Sequence, residues 1–361
     1  MDTPTLLLDI DQLDRNIEEI MQFSKDHHVA YRPHIKTHKC AMIAKRQIDF
    51  GAVGITVATV GEAEVMAEAG IQSILIAYPI VKEEKLKRIL PLLDKTSIIV
   101  TIDSIEQASI LNTFLRKHHK NLEVWIKINS GLNRCGVEPK EEVVQLAKYI
   151  HTMPGLELSG VFTHAGHSYA ATSEEEIQAI AYKEAEAVVE SAKLCEAEGI
   201  HIPHRSIGST PTFKIAGAVE GITEIRPGNA VFYDMVQVGL GVATVEKCAL
   251  TVIASVGSIK DNHVVIDAGS KTLNLDRGAH GNENVAGHGY IIEYPHLVIE
   301  RLSEEHGIIP LENSESLTLG EEITIIPNHA CTVVNLFDYY TVQQHGNIID
   351  YWKVDARGRV D

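Results

Sequence analysis

The chain has 361 residues, of which 45% are hydrophobic and 22% charged, and it carries a formal net charge of -17. That length holds either one barrel-sized domain with an appendage or two smaller domains, and the composition is that of an ordinary soluble globular protein. So acidic a chain repels phosphate backbones, which argues against a nucleic-acid partner, and no apolar run reaches membrane-spanning length.

The first residues, "MDTPTLLLDIDQLDRN", lack the basic-then-apolar layout of a signal peptide, so the expected location is the cytosol. Within them, "TPTLLLDID" reads as a strand. Short β-branched runs then recur in order: "VAYRP", "VGITVA", "SILIAY", "SIIVTI", "LEVWIKI", "LELSGVFTH", "HRSIG" and "TEIRP". Between them, segments such as Asp11 to His27, Gly61 to Gly70, Ser104 to Lys120 and Ser173 to Gly199 carry apolar residues at helical spacing. Eight such alternations within residues 10–240 are the arithmetic of a (β/α)8 TIM barrel. A doubly wound open sheet is the alternative, but no GxGxxG follows the first strand. After residue 240 the texture changes to alternating runs broken by Gly, Asn and Asp turns, such as "CALTVIASVGSI" and "LTLGEEITIIPNH". The expectation is a C-terminal antiparallel β domain built from residues 1–9 and 241–361. The cysteines Cys40, Cys135, Cys195, Cys248 and Cys331 are scattered with no CxxC pair, so neither a disulfide framework nor a zinc ribbon is indicated.

In a barrel, chemistry sits where strands end and βα loops begin. The junction after the first barrel strand is "RPHIKTHK", residues 32–39, five potentially cationic side chains in an acidic protein. Partial desolvation at a strand end, together with the neighbours Arg32, His34, His38 and Lys39, lowers the pKa of Lys36 and makes it a nucleophile toward a carbonyl. Taken alone, Lys36 reads more readily as a surface lysine at a helix start. After the seventh strand, "SIGSTPT" offers Gly208, Ser209 and Thr210 as an anion cradle, or else as an ordinary helix cap. Gly228 and Asn229 in "RPGN" follow the eighth strand, where barrels favour phosphate. A carbonyl-seeking lysine on strand one facing such a cradle is the layout expected of a barrel that holds pyridoxal 5'-phosphate as a Schiff base.

Eight segments in order, "PHIKTHK", "INSGLNRCGV", "GVFTHAGHSY", "SIGSTPT", "EIRPGNAVFYD", "DAGSK", "RLSEEHG" and "PNHACTVVNLFD", resemble the D-serine dehydratase and D-threonine aldolase branch of the alanine-racemase-like, fold-type III pyridoxal-phosphate enzymes. The resemblance implies that Lys36 is the Schiff-base lysine and Lys39 a structural neighbour. It implies that His164 stacks on the cofactor ring, Arg134 approaches the ring hydroxyl, Tyr169 lines the pocket and Arg226 approaches the pyridine nitrogen. His167 is the candidate base near the substrate's hydroxyl, whereas His34 and His38 orient loops.

His329 and Cys331, two positions apart on an expected strand, would share a face and could ligate one ion; the plainer reading is a buried cysteine beside a hydrogen-bonded histidine. The family pattern implies a divalent metal site there, and a thiolate favours Zn2+ over harder ions such as Mn2+ or Mg2+. The activity implied is lysis of β-hydroxy D-amino acids: dehydration of D-serine or D-threonine to a 2-oxo acid and ammonia, or alternatively aldol cleavage to glycine and an aldehyde. A pyridoxal-phosphate racemase is a remoter alternative, with no use for His329 and Cys331. The family also implies a homodimer.

Overall fold

The computed structural model describes residues 1–279, 282, 285–311 and 317–361. The chain begins with β1 (Thr5–Asp9) and then alternates strands and helices through β2 (Ala30–Tyr31), β3 (Ile55–Val57), β4 (Ser73–Pro79), β5 (Ser97–Ile102), β6 (Leu122–Lys127), β7 (Leu156–Phe162), β8 (His204–Ile207) and β9 (Glu224–Ile225). Each of the eight expected barrel strands forms. Several of the helices between them start where short polar side chains cap the orphan N–H groups: Asp9 accepts from Gln12 N, Thr59 from Glu62 N, Ser104 from Gln107 N and Ser173 from Glu176 N. The helix Ile10–Asp26 buries Ile10, Leu13, Ile17 and Ile20, an apolar stripe at helical spacing.

All eight strands pair in parallel in the order β2-β9-β8-β7-β6-β5-β4-β3. A parallel bridge from His34 to Thr56, with Thr56 N donating to Pro33 O at 2.7 Å, joins the two ends of that order and closes the barrel. Alternation along the strands separates two cores. Leu75, Ile99, Trp125 and Phe162 form a cluster of their own inside the barrel, while the neighbours Ile74, Ile76, Val124, Ile126 and Val161 join the larger core under the helices. Each fully buried apolar side chain of this kind contributes roughly 2 kcal/mol. Trp125 fits only because residue 160 is glycine: a Cβ there would lie 2.8 Å from the indole ring.

The second sheet comprises β10 (Leu250–Lys260), β11 (His263–Ile266), β12 (Tyr290–Ile291), β13 (Arg301–Leu302), β14 (Gly307–Pro310), β15 (Glu322–Ile326), β16 (Tyr339–Gln344) and β17 (Asn347–Lys353), with β1 in its middle. Its pairings are antiparallel except one. β1 runs antiparallel to β10 but parallel to β16, so the sheet is mixed and not purely antiparallel. This sheet buttresses the loop after β2: Tyr340 OH donates to His38 O at 2.6 Å, and Ala356 N donates to Lys39 O at 2.9 Å.

Candidate active site

The loops after β2, β6, β7, β8 and β9 converge with residues 329–331, which follow the second sheet's β15, on one cavity of about 250 Å³. Four Lys or Arg side chains line it, Lys36, Lys127, Arg134 and Arg226, with three histidines, His34, His164 and His329. Among the described residues, no Asp or Glu lines it. Such a wall selects an anion.

After β2 the chain turns through a 3-10 segment, Ile35–Thr37, with His34 as its cap. Ile35 is buried in the core while His34, Lys36 and Thr37 face the cavity. Burial is the main cause that lowers the pKa of Lys36, with Arg134 adding to it and Cys331 and Glu62 opposing. The expectation that Arg32, His38 and Lys39 depress it is corrected here, because each is engaged elsewhere. Arg32 donates to Glu224 at 2.8 Å and to Ser73 Oγ at 2.8 Å. Lys39 pairs with buried Glu62 at 2.6 Å. His38 Nδ1 accepts from Cys40 N at 3.1 Å, so its Nε2 carries the proton toward Gln47 Oε1 at 3.2 Å, and burial pushes its pKa down to about 3. The apparent cationic patch is a set of separately neutralised side chains with one amine left over.

At the end of β7, His164 Nδ1 lies 2.7 Å from Gly208 O; a carbonyl only accepts, so Nδ1 holds the proton. Nε2 is then a bare lone pair, buried and without a partner among the described residues, and burial holds the ring neutral. Arg226 sits 4.9 Å from the Phe162 ring centroid and donates to Ser206 Oγ and Thr163 O; burial lowers its pKa to about 10. Tyr169 lines the cavity, with its hydroxyl beside Thr210. His167 does not line it. Residues advance about 120° each in a 3-10 segment, so within Gly166–Ala170 a side chain two positions before Tyr169 faces another way. The His167 ring instead lies against Gly131 and Lys183.

Gly208, Ser209, Thr210, Gly228 and Asn229 form one end of the cavity. Among the described residues, no acceptor bonds the N–H groups of Ser209, Gly228 or Asn229, whereas Thr210 N–H donates to the Tyr169 hydroxyl. Thr210 Oγ1 accepts from Ala230 N at 3.1 Å, locking the loop after β8 to the loop after β9. Unbonded N–H groups beside hydroxyls are the donor set a phosphate requires.

His329 and Cys331 are not on a strand, as the sequence pattern suggested. Pro327 has no N–H for a ladder, β15 ends at Ile326, and His329 caps the short helix Ala330–Val334 that carries Cys331. The two side chains nonetheless meet at the cavity. Burial opposes charge on both, but imidazolium and thiolate favour one another and draw the Cys331 thiol below its usual range. Cys331 Sγ also lies 3.1 Å from Thr37 Oγ1, and His329 Nδ1 is buried without a partner among the described residues. One imidazole nitrogen and one thiolate fit a zinc-class cation. Among the described residues no third His, Cys, Asp or Glu completes a larger cluster.

Three residues were missed by reading the sequence. Lys127, at the end of β6, lines the cavity with Nζ 3.2 Å from Ala77 O; its signal is a single lysine closing an apolar strand. Asp234 Oδ2 accepts from Asn229 Nδ2 at 2.6 Å and from Ala330 N at 2.9 Å, tying the cradle to the helix that carries Cys331. Glu184 Oε1 accepts from Ala165 N and Gly208 N behind the cavity wall.

Comparison with known proteins agrees with this architecture. Residues 8–236 match the alanine racemase N-terminal domain family, and residues 249–343 match a serine dehydratase domain. D-threo-3-hydroxyaspartate dehydratase from Delftia sp. (strain HT23) is 33% identical, over 98% of this chain and 97% of that protein. The chain belongs to the D-serine dehydratase and D-threonine aldolase family. A D-serine dehydratase of this family, from Dictyostelium discoideum, is 30% identical over 90% of this chain and 89% of its own. The crystal structure of D-threonine aldolase from Filomicrobium marinum superposes with a TM-score of 0.93 at 31% identity, covering 100% of this chain and 97% of that one. Family members therefore share the barrel, the second sheet and the order of the two.

Proposed function

We propose that the protein is a pyridoxal-phosphate- and divalent-metal-dependent lyase of β-hydroxy D-amino acids, acting as a dehydratase that yields a 2-oxo acid and ammonia. The observation that carries this reading is one anion-selective cavity in which a half-buried amine, Lys36, adjoins the His329–Cys331 pair, with three unbonded N–H groups, those of Ser209, Gly228 and Asn229, in its wall. The cofactor's phosphate would be held by Gly208, Ser209, Thr210, Gly228 and Asn229, its ring by His164, Tyr169, Arg134 and Arg226, and its carbonyl carbon by Lys36. Zn2+ would be held by His329 and Cys331. When bound, the cofactor supplies an electron sink for charge developing at Cα, and the metal supplies a Lewis acid toward the β-hydroxyl.

Lys36, once free, takes the Cα proton on its Nζ; its lowered pKa keeps a usable fraction of the amine neutral. His164, neutral and held by Gly208 O, packs without adding charge. Arg226 is fixed by Ser206 and Thr163 and keeps its charge inside the cavity. Dehydration is favoured over aldol cleavage because the candidate base for the hydroxyl proton, His167, does not line the cavity. A similar D-threo-3-hydroxyaspartate dehydratase, 32% identical over 98% of this chain, is known as a cysteine-to-alanine variant in a metal-free form, which supports a metal role for Cys331 in this chain.

Lys127 and Arg134 line the cavity with no carboxylate partner among the described residues, which also suits a substrate bearing a second carboxylate, such as a 3-hydroxyaspartate. Incubation with D-serine, D-threonine and D-threo-3-hydroxyaspartate, followed by quantification of 2-oxo acid and glycine, tests the reading. Oxo acid and ammonia are expected; glycine would replace the dehydratase assignment by aldolase, and neither product from any of the three would end it. A cytosolic homodimer belongs to the same proposal; among the described residues no helix is long and apolar enough to cross a membrane.

A further inference from the structure

The helix Glu174–Ala197 packs on the barrel through Ile177, Ala181, Ala185 and Val188, and Glu184 falls within that apolar stripe, fully buried. Its carboxylate pairs with no cation among the described residues, unlike buried Glu224 and Glu62, which pair with Arg32 and Lys39. Burial raises its pKa to about 7, so the group is held at a cost.

What it holds is specific. Oε1 accepts from Ala165 N at 3.2 Å and from Gly208 N at 3.1 Å, and Oε2 accepts from Thr212 Oγ1 at 2.6 Å. Gly208 O in turn accepts from His164 Nδ1 at 2.7 Å and from Ala165 N at 3.2 Å. Gly208 is thereby pinned at both ends, its N–H by Glu184 and its carbonyl by the β7 loop. The two residues that follow it belong to the cradle: Ser209 with an unbonded N–H, and Thr210 with its N–H on the Tyr169 hydroxyl and its Oγ1 on Ala230 N.

We propose that Glu184 is a positioning residue: from behind the cavity wall it holds the loop carrying His164 in register with the loop carrying the anion cradle, and so sets affinity for the phosphate-bearing cofactor. The inference rests on reading the cavity as a pyridoxal-phosphate site, and it makes acceptor position, not negative charge, the property that matters. Glutamine preserves that position, since its carbonyl can accept both N–H groups while its amide donates to Thr212 Oγ1. Aspartate preserves the charge but withdraws the acceptor by one bond, about 1.5 Å.

The test is absorbance titration of cofactor-free wild type, Glu184→Gln and Glu184→Asp with pyridoxal phosphate, alongside amide hydrogen exchange of the same cofactor-free proteins. E184Q should bind within about threefold of wild type and E184D at least about tenfold more weakly, with faster exchange at Ala165 and Gly208 in E184D alone. Equal affinity in E184D and wild type, or E184Q as weak as E184D, would overturn the proposal; the E184Q result decides alone should E184D not fold. Failure of wild type to bind the cofactor at all would instead reject the cofactor reading, and the exchange rates would still show whether Glu184 holds the two loops.

Discussion

Replacing Gly228 by alanine is a sharp perturbation of this cavity because the strain falls on the segment that carries Lys36. A Cβ at residue 228 would lie 2.7 Å from His34 O, 3.1 Å from His34 Cβ and 3.2 Å from Thr37 Oγ1. The first of these is backbone and cannot rotate away, so that gap must widen by about 0.7 Å to reach the 3.4 Å of ordinary contact. The backbone of Gly228 has φ -108°, so crowding alone is at issue and not a left-handed conformation. Overpacking of this kind costs about 1–3 kcal/mol. A displacement approaching 1 Å at the reacting amine lowers turnover by about 10- to 100-fold. Turnover of the β-hydroxy D-amino acid substrate and thermal unfolding would be compared for Gly228→Ala and for a control, Gly257→Ala, whose Cβ would meet nothing nearer than Val265 O at 3.8 Å. The control should be wild-type-like. Wild-type turnover in G228A would refute the claim that the β9 loop and the Lys36 turn are in rigid contact.

Glu184 titrates abnormally, and the sign of its effect on stability follows. Its folded pKa, about 7, lies above the ordinary 4.5, so the native state binds the extra proton and stability falls as pH rises from about 4.5 to 7, then levels. The shift corresponds to roughly 3 kcal/mol, so cofactor-free E184Q should be more stable than wild type at pH 8 by up to that amount in urea unfolding. The gap should close by pH 4.5, and a gap independent of pH would contradict the burial argument. Chelation should abolish turnover while leaving bound-cofactor absorbance, and Cys331→Ser should lower zinc stoichiometry; full turnover in metal-stripped protein would remove His329 and Cys331 from the reaction.

The barrel was legible because its strands and helices announce themselves by period, and even the shortest strands have a reason. β2 and β9 are two residues long because Pro33 and Pro227 follow soon after and cannot donate to a ladder. The cavity residues were legible through their place at strand ends, with His167 the exception because a 3-10 turn changes which side chains face inward. The strand assigned to His329 and Cys331 failed at Pro327, where alternation gives way to a helix start. The charge of "RPHIKTHK" misled for a different reason: the acids that neutralise it, Glu62 and Glu224, are distant in sequence. Glu184 and Asp234 were missed because most of their partners are backbone N–H groups, which no side-chain pattern encodes.

Three lysines lie in or beside this cavity, and the account rests on telling them apart. Lys39 is bound to Glu62, Lys127 reaches Ala77 O, and Lys36 alone combines a lowered pKa with proximity to Cys331. Borohydride reduction of the cofactor-loaded protein, followed by peptide mapping, tests the distinction directly. The label is predicted on Lys36; a label on Lys127 or Lys39 would contradict the account.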